Sequence, residues 1–317
     1  MTENVLLLSY GKDSLACLEA IKILGLPLTR IIHTEIWATE TISADLPPMV
    51  EFKKKADKII KERYGIEVEH NCALKTQGRV EANKHTKECS ITDCKKESLQ
   101  ELSKDFHKQS AVGVKSLNLK QTVLTYEDMF YKHNQKKKQI QGFPISINRG
   151  NWCTRLKQLS CSQIVQVERE RERENETRRI VQYLGIAADE PKRIERHIKR
   201  PDIVLPLVEI GWDEAYCRKW CEENDLLSPI YTTATRGGCW FCHNQGVDQL
   251  RHLRKKYPEY WELLLKWDAD SPVTFKADGH TVHNYDRRFM LEDLGCLPKD
   301  RTFRWSMLDE DRQIKLW

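Results

Sequence analysis

The chain has 317 residues, 40% of them hydrophobic, which is enough for one large or two modest folded domains. Its 52 basic and 47 acidic residues leave a formal charge of +5, a balance that is compatible with polyanionic ligands but does not establish nucleic-acid binding. The sequence has neither a long apolar run nor a basic-then-apolar start, so we expect a cytoplasmic protein that does not enter a membrane. Its eleven cysteines are then expected to be thiols or metal ligands rather than disulfides.

A polar turn directly behind the first apolar run is the strongest motif of the chain. Residues 5–8 predict a buried strand, and residues 15–24 have leucine and isoleucine at helical spacing. A strand, a tight turn and a helix in this order direct free backbone N–H groups and the positive helix end toward one point, which suits a phosphate. The turn consists of Ser9, Tyr10, Gly11, Lys12, Asp13 and Ser14.

The side chains of this turn add to the anion-binding character of its backbone. The serines supply hydroxyl donors, Lys12 supplies a positive charge, and Asp13 is placed to hold Mg²⁺ beside the phosphates. The alternative is an ordinary strand-to-helix turn in which Asp13 or Ser14 is the N-cap. The turn is not a Walker A loop, because the G-x-x-x-x-G-K-[ST] spacing is absent.

The segments that follow alternate between strand and helix patterns. Residues 30–33 and 66–69 predict short strands, residues 49–64 an amphipathic helix, and residues 180–186 a later core strand. This alternation predicts an α/β fold with a twisted parallel sheet and flanking helices. Ligands of such sheets bind beyond the carboxyl ends of the strands. The candidate nucleotide-binding residues at the end of the second strand are Thr34 and Glu35.

Composition divides the chain into two predicted regions. We expect a nucleotide-binding α/β domain over residues 1–205, with a lysine-rich insertion at about 75–140. The remaining residues, 206–317, are expected to form a small helical region with a metal site.

Helical patterns dominate this second region. Residues 214–224 predict a helix with Asp213 as N-cap, and residues 250–267 have a helical pattern rich in aromatic residues. Cys217 and Cys221, four residues apart on the first of these helices, are expected to pack in the core rather than to bind metal.

A Cys-x-x-Cys sequence behind paired glycines is the second strong motif. Cys239 and Cys242 are close enough in sequence to bind one metal ion or cluster; a redox dithiol and two unrelated buried cysteines are the alternatives. Further candidate ligands are Cys153 and Cys161, which are about two helical turns apart, and His243 is an alternative fourth ligand. Four thiolates suit either an iron–sulfur cluster or Zn²⁺.

Three segments resemble one known family. Residues 9–14 (SYGKDS) resemble the PP-loop, usually SGGKDS, of the ATP-pyrophosphatase and phosphoadenosine phosphosulfate (PAPS) reductase superfamily, with Tyr10 in place of the first glycine. Residues 227–242 (LSPIYTTATRGGCWFC) are similar to the reductase pattern N-P-L-Y…R-x-G-C-x-x-C. Residues 152–157 (WCTRLK) are similar to the family's C-C-x-x-R-K segment, and more closely to the C-T-x-x-L-K segment of the DNA phosphorothioation ATP pyrophosphatases.

The resemblance implies a PP-loop (HUP-like) Rossmann-type fold, a bound nucleotide and a metal cluster. It implies that a [4Fe–4S] cluster, with Zn²⁺ as the alternative, is held by Cys153, Cys239 and Cys242. It also implies nucleotide contacts, to phosphate or sulfate, from Arg155, Lys157 and Arg236.

Two departures from the family pattern bear on the activity. Trp152 stands where the reductases have the first cysteine of a pair, which leaves Cys161 as the candidate fourth ligand. The E-C-G-L-H element that carries the reductase nucleophile is missing, and Cys296 lacks its flanking glutamate and histidine. No good candidate for the attacking thiolate is therefore present.

These observations favour ATP cleavage to AMP and pyrophosphate, with Mg²⁺, over sulfonucleotide reduction. The catalytic residues would be Lys12, Asp13 and Lys157, and Asp189 is a further candidate for the metal or ribose, or else part of a capped turn before Pro191. The activated substrate would take part in sulfur transfer or nucleic-acid modification, with a nucleic acid or a sulfur-donor or thioredoxin-type protein as partner. The alternatives are a PAPS or adenosine phosphosulfate reductase that forms sulfite, and a non-catalytic nucleotide-binding module of a larger assembly.

Overall fold

The computed structural model describes residues 2–73, 75, 122–135, 138–145, 152–154, 156, 179–232 and 238–310. By their contacts, the residues form two compact units. The first comprises Met1–Met129 and Trp152–Gly237, and the second Phe130–Asn151 and Gly238–Trp317. No helix in these ranges combines the length and the apolar character that crossing a membrane requires.

Strands and helices alternate through the first unit, whereas helices dominate the second. The strands are β1 (Thr2–Leu8), β2 (Arg30–Glu35), β3 (Val68–Cys72), β4 (His133–Asn134), β5 (Gln139–Ile140), β6 (Arg179–Tyr183) and β7 (Ile203–Val204). The helices are α1 (Lys12–Ile23), α2 (Pro47–Tyr64), α3 (Tyr126–Phe130), α4 (Pro191–His197), α5 (Pro206–Glu209), α6 (Glu214–Glu223), α7 (Val247–Lys256), α8 (Pro258–Asp270), α9 (Val282–Asp293) and α10 (Met307–Glu310).

Five strands of the first unit form a parallel sheet in the order β3-β2-β1-β6-β7. This confirms the predicted α/β class, a Rossmann-like parallel sheet with flanking helices. The chain runs from β1 to β2 and β3 on one side and returns to β6 and β7 on the other, so the strand order reverses beside β1. In open α/β sheets, the crevice at the carboxyl ends of the strands at such a reversal is the usual ligand site.

The packing of β1 and α1 follows from their apolar residues. Leu6 of β1 and Leu15 and Leu18 of α1 are completely buried in one core with Ile31 of β2. Leu15 and Leu18 share a helix face because residues three apart lie on the same side. This packing fixes the first turn of α1 at the carboxyl edge of the sheet.

Several element boundaries differ from the sequence expectations. β3 begins at Val68 rather than at residue 66, and β6 ends at Tyr183 rather than at residue 186. The helical character predicted for residues 250–267 is confirmed, but it is divided between two helices, since α7 ends at Lys256 and α8 begins at Pro258. Proline has no N–H to continue the preceding helix, but it is well suited to the first position of a new one.

The predicted start of α6 is confirmed, because the Asp213 carboxylate accepts a hydrogen bond from the backbone N–H of Tyr216 at 2.7 Å. Cys217 and Cys221 are fully buried, as expected for core residues. Helix α6 packs against α1 within the first unit. The predicted boundary between two domains near residue 205 stays a prediction, and the lysine-rich insertion lies mostly outside the described residues.

Aromatic rings form the core of the second unit. Trp240 and Trp267 stack with their ring centroids 5.7 Å apart and an interplanar angle of 11°. Tyr260 stacks on the Trp240 ring at 4.9 Å, and Phe130 stacks on the Trp267 ring at 5.9 Å. Stacks of this kind bury large apolar areas and fix the orientation of the rings.

Candidate functional site

The predicted phosphate-binding turn is a tight connection between β1 and α1. Gly11 precedes the helix with an extended backbone (φ −76°, ψ 156°). The hydroxyls of Ser9 and Ser14 lie 2.9 Å apart, and the Ser14 hydroxyl donates to the Gly11 carbonyl at 3.0 Å. The N-cap position belongs to Gly11 and has no side-chain cap, so the alternative in which Asp13 or Ser14 is the N-cap was wrong. Instead, the side chains of Ser9 and Ser14 contact each other and hold the two ends of the turn together.

Lys12 lies at the start of α1 with its ammonium between two carboxylates. Its Nζ is 2.8 Å from Asp13 Oδ1 and 2.9 Å from Glu214 Oε2. Burial alone lowers the pKa of Lys12, but the hydrogen bonds and charges of Asp13 and Glu214 outweigh it and raise that pKa. Burial raises the pKa of Asp13, and Lys12 opposes this shift. Lys12 is thus a buried, charged donor beside N–H groups that have no partner within the helix, which is the chemistry that binds phosphate oxygens.

Two residues from later in the chain close around this turn. A Cβ on Gly185, just after β6, would lie 2.7 Å from Ser14 Cα and 2.8 Å from Asp13 O, so only glycine permits this approach of the chain to α1. The Tyr231 hydroxyl accepts a hydrogen bond from the backbone N–H of Lys12 at 3.3 Å. Tyr231 is the tyrosine of the segment that is similar to the reductase pattern.

Three other predicted nucleotide-binding residues that the structure describes, Thr34, Glu35 and Asp189, lie at or after the carboxyl end of a strand. Asp189 Oδ1 accepts a hydrogen bond from the backbone N–H of Glu214 at 3.1 Å, which connects it to the carboxylate that contacts Lys12. Thr34 and Glu35 end β2. Their predicted contacts with a nucleotide stay predictions.

A network of charged side chains lies beside the turn, at the carboxyl ends of β2 and β3. His33 and Glu35 are two residues apart on β2 and therefore share a face, and His33 pairs in register with His70 of β3. We call this group the ion network. It comprises Tyr10, His33, Glu35, Asp45, Lys53, Asp57 and His70.

Lys53, from α2, supplies the cation at the centre of the ion network. Its Nζ lies 2.7 Å from His33 Nε2 and 3.0 Å from Glu35 Oε2, and it also contacts Asp45. His33 Nδ1 lies 2.7 Å from the Leu8 carbonyl. Because a carbonyl only accepts, Nδ1 carries the proton and Nε2 accepts from Lys53. Burial and the charge of Lys53 lower the pKa of His33, in agreement with a neutral ring.

His70 is the second cation of the ion network. Its Nδ1 lies 2.9 Å from Glu35 Oε1 and its Nε2 lies 3.0 Å from Asp57 Oδ2, so both ring nitrogens donate to carboxylates. Burial alone lowers the pKa of His70, but the hydrogen bonds to Asp57 and Glu35 outweigh it and raise that pKa to about 9. The Tyr10 hydroxyl donates to Asp57 as well. Burial and the Asp57 carboxylate raise the pKa of Tyr10, so the phenol keeps its proton.

A metal ion is the obvious alternative occupant of this cluster. Within the described ranges, His33, Glu35 and His70 are the group whose ligand atoms lie close enough together, all within 4.8 Å of one another, to share one ion. The Lys53 ammonium, however, already lies within hydrogen-bond distance of two members of that group. The protein therefore supplies its own cation at this position, and Lys53 and His70 together pair with the three carboxylates of the ion network.

The Cys-x-x-Cys motif forms a turn in the second unit. The backbone N–H of Cys242 donates to the Cys239 carbonyl at 3.0 Å. The Gln245 amide donates to the carbonyls of Cys239 at 2.9 Å and Trp240 at 2.6 Å. We call residues 239–245 the cysteine turn; its backbone is held by its own side chains, and it presents two thiols that are neither buried nor fully exposed.

A lysine completes the cysteine turn. The Lys276 ammonium donates to the carbonyls of His243, at 2.6 Å, and Gln245. Burial lowers the pKa of Lys276, and the nearby Cys242 opposes this shift. Burial and the charge of Lys276 lower the pKa of His243, so its ring favours the neutral form that binds metals.

Cys153 is the remaining predicted site residue within the described part of the chain. Cys153 belongs to the first unit, whereas Cys239 and Cys242 belong to the second, and the proposed four-thiolate set stays a prediction. The remaining predicted residues, which lie outside the described part of the chain, are Arg155, Lys157, Cys161 and Arg236.

Sequence reasoning missed several residues of the turn and the ion network. One local signal was present: the polar alternation His33-x-Glu35 at the end of a strand places two ligand-type side chains on one face. The other contacts join residues far apart in sequence and have no local signal. Tyr231 lies in the segment similar to the reductase pattern but was given no role. The missed residues are His33, Asp45, Lys53, Asp57, His70, Gly185 and Glu214.

Comparison with known proteins does not assign the chain to a family. No protein-family model, no curated protein and no solved structure matches the chain.

Proposed function

We propose that the chain is an adenine-nucleotide enzyme of the PP-loop type that cleaves ATP between the α- and β-phosphates and so activates a second substrate. One observation carries the proposal: Lys12 and Asp13 begin α1 at the carboxyl edge of the sheet, where the strand order reverses. A charged lysine, a carboxylate and the N-terminus of a helix at this place suit a polyphosphate. The resemblance of residues 9–14 to the PP-loop points to the same chemistry.

The proposed reaction is a nucleotidyl transfer. An oxygen of the second substrate attacks the α-phosphorus, the bond from that phosphorus to the bridging oxygen breaks, and its electron pair leaves with pyrophosphate. Lys12 exchanges a carboxylate partner for phosphate oxygens and neutralises the departing charge. Asp13 is the candidate ligand of Mg²⁺, which would supply further charge stabilisation when bound. Arg155, Lys157, Asp189 and Arg236 are proposed as additional nucleotide contacts.

We also propose a thiolate metal centre built on Cys239 and Cys242. Two thiols held by one ordered turn are the usual half of such a site, and Cys153 and Cys161 are the proposed remaining ligands. A [4Fe–4S] cluster is expected, with Zn²⁺ as the alternative. Iron, zinc and acid-labile sulfide analysis of anaerobically purified protein tests this point: about four irons per chain are expected, Cys239→Ser should abolish them, and metal-free wild-type protein would contradict the proposal.

The second substrate is proposed to belong to sulfur transfer or nucleic-acid modification. The mild positive charge of the chain supports a polyanionic partner, and the resemblance to the DNA phosphorothioation ATP pyrophosphatases supports both chemistries. A sulfur-donor protein is the proposed partner for the sulfur-transfer branch.

Turnover assays test the proposed activity. The purified protein is incubated with ATP and Mg²⁺, and separately with PAPS and reduced thioredoxin. Pyrophosphate release is expected in the first assay, in which water takes the place of the second substrate as the attacking oxygen, and it should be at least a hundredfold slower in Lys12→Ala because one preorganised charge is lost. Lys22→Ala, at the exposed far end of the same helix, should retain full activity. Sulfite from PAPS would favour the reductase instead, and no product in either assay would favour a non-catalytic nucleotide-binding module.

A further inference from the structure

The backbone of Tyr10 adopts a conformation that side chains with a Cβ rarely adopt. Its φ is +54°, in the left-handed region that glycine occupies without steric cost. The resembled loop has glycine at this position, a residue that adopts such a φ without steric cost. A bulky residue in this region requires a surrounding structure that holds it there, and such outliers often mark functional positions.

Other members of the ion network contact both the hydroxyl and the ring of Tyr10. The ring is 1% exposed, its hydroxyl donates to Asp57 and lies 3.2 Å from His70 Nε2. The His33 ring meets it edge-on at 4.7 Å, and the Lys53 ammonium lies 5.5 Å from its centroid. These contacts come from β2, α2 and β3, so three separate elements define the position of one side chain.

The network is also stiff, because its members fix one another. Glu35 accepts from both Lys53 and His70, and Asp57 accepts from both His70 and Tyr10. Burial alone would raise the pKa of Glu35, but its hydrogen bond from His70 and the charge of Lys53 lower it well below its ordinary value. Charge-assisted hydrogen bonds of this kind fix the orientation of the side chains as well as the distances between them.

We propose that Tyr10 is a positioning residue: the other members of the ion network anchor its phenol, and the anchored side chain holds the turn in the left-handed conformation that presents the N–H groups of Asp13 and Ser14, in the first turn of α1, to an anion. The Lys12 N–H donates to Tyr231 instead. The inference rests on the proposed nucleotide site and adds to it a buried tyrosine whose hydrogen bonds keep the turn in its binding conformation. Consecutive backbone N–H groups beside a left-handed residue form a concave anion site. The contacts of Tyr10 with the other members of the ion network thus maintain a left-handed conformation that glycine would adopt without steric cost.

The test removes one hydroxyl at each of two equally buried tyrosines. Tyr10→Phe deletes the anchor. Tyr183→Phe is the matched control, because Tyr183 is also 1% exposed and its hydroxyl donates to the Pro27 carbonyl at 2.7 Å. Calorimetry measures binding of ATP with Mg²⁺ and of adenosine, and hydrogen exchange measures the backbone amides of residues 11–14.

The anchor should matter for phosphates and not for the base. Tyr10→Phe is expected to weaken ATP binding about tenfold and to change adenosine binding by less than about twofold, with faster exchange at residues 11–14. Tyr183→Phe is expected to lower stability without changing either affinity or that exchange. Asp57→Asn keeps an oxygen acceptor for the phenol but removes the charge that faces His70, so it is expected to lower stability while keeping ATP affinity within about twofold. Asp57→Ala should weaken ATP binding as Tyr10→Phe does, and this pair decides the matter should Tyr10→Phe not fold.

The outcomes separate this proposal from the one it rests on. Wild-type ATP affinity and unchanged exchange in Tyr10→Phe would overturn the positioning role while leaving the nucleotide site intact. A wild-type protein that binds no nucleotide would overturn the proposed function. In that case, exchange alone decides the role of Tyr10: faster exchange in Tyr10→Phe but not in Tyr183→Phe supports it, and equal exchange contradicts it.

Discussion

Lys53, which is buried, and Lys276, which is partly buried, have different kinds of partner. In the ion network, the Lys53 ammonium meets the carboxylates of Glu35 and Asp45. In the cysteine turn, the Lys276 ammonium meets backbone carbonyls. Burial alone lowers the pKa of both groups. The two carboxylates outweigh burial and raise the pKa of Lys53, whereas carbonyl dipoles do not, and the pKa of Lys276 stays lowered.

The difference shows what each region uses its lysine for. In the ion network, cations and carboxylates are mutually dependent, so removing one leaves others buried without a counter-charge. In the cysteine turn, removing the lysine leaves only neutral carbonyls without a donor. The ion network is therefore sensitive to the loss of any member, and the cysteine turn is locally tolerant. Three measurements sharpen or break this comparison.

The largest effect is expected at the centre of the ion network. Lys53→Met keeps most of the side-chain volume but leaves Glu35 and Asp45 without their ammonium, so the free energy of unfolding should fall by about 3–5 kcal/mol. Urea denaturation measures it. Lys55→Met is the control: Lys55 lies on the same helix and its ion pair with Asp225 is exposed, so a change below about 0.5 kcal/mol is expected. Equal losses in the two variants would contradict a charge-paired network.

The pH dependence of stability should show His70. Its pKa is raised from 6.5 to about 9 by its carboxylate partners, so its stabilising contribution is complete below about pH 6.5 and is lost as the pH rises through about 9. Urea denaturation between pH 6 and 8.5 should show a loss of up to about 2.5 kcal/mol in the wild type. Above this window the buried thiols of Cys17, Cys217 and Cys221, whose pKa burial raises, add a loss of their own. The slope in this window should be much smaller in His70→Gln, and identical slopes would show that His70 is not an imidazolium in the native state.

The smallest effect is expected in the cysteine turn. Lys276→Met removes the donor of two carbonyls and should lower the free energy of unfolding by about 1–2 kcal/mol. The pH dependence should have the opposite sign to that of His70: a lysine whose pKa is lowered below 10.5 costs stability at neutral pH, and this cost disappears as the pH rises toward 10.5. Lys255→Met, exposed on α7, is the control. A loss as large as that of Lys53→Met would remove the distinction between the two regions.

The sequence was sufficient to predict the fold class, but not the break between α7 and α8 or the strand order. β1, α1, β2 and α2 were predictable because their apolar residues recur with the period of a strand or a helix. The break at Pro258 was overlooked although proline gives a local signal. The strand order around β1 was not predictable, because pairing between strands depends on contacts between distant residues.

The candidate site divides in the same way. The turn at residues 9–14 was predictable because its chemistry is contiguous in sequence. The ion network was not, because His33 and His70 become neighbours only when β2 and β3 pair in register. The positive φ of Tyr10 was likewise hidden, since nothing in the sequence around it indicates that α2 and β3 hold its side chain.

The central claim is that the start of α1 binds the phosphates of an adenine nucleotide. Calorimetric titration of ATP with Mg²⁺ into the wild type and Lys12→Ala tests it most directly, with thermal unfolding of both to show that the fold is intact. We predict one site per chain in the wild type and at least a tenfold weaker affinity in Lys12→Ala. No binding to the wild type, or equal binding to both proteins, would contradict the account.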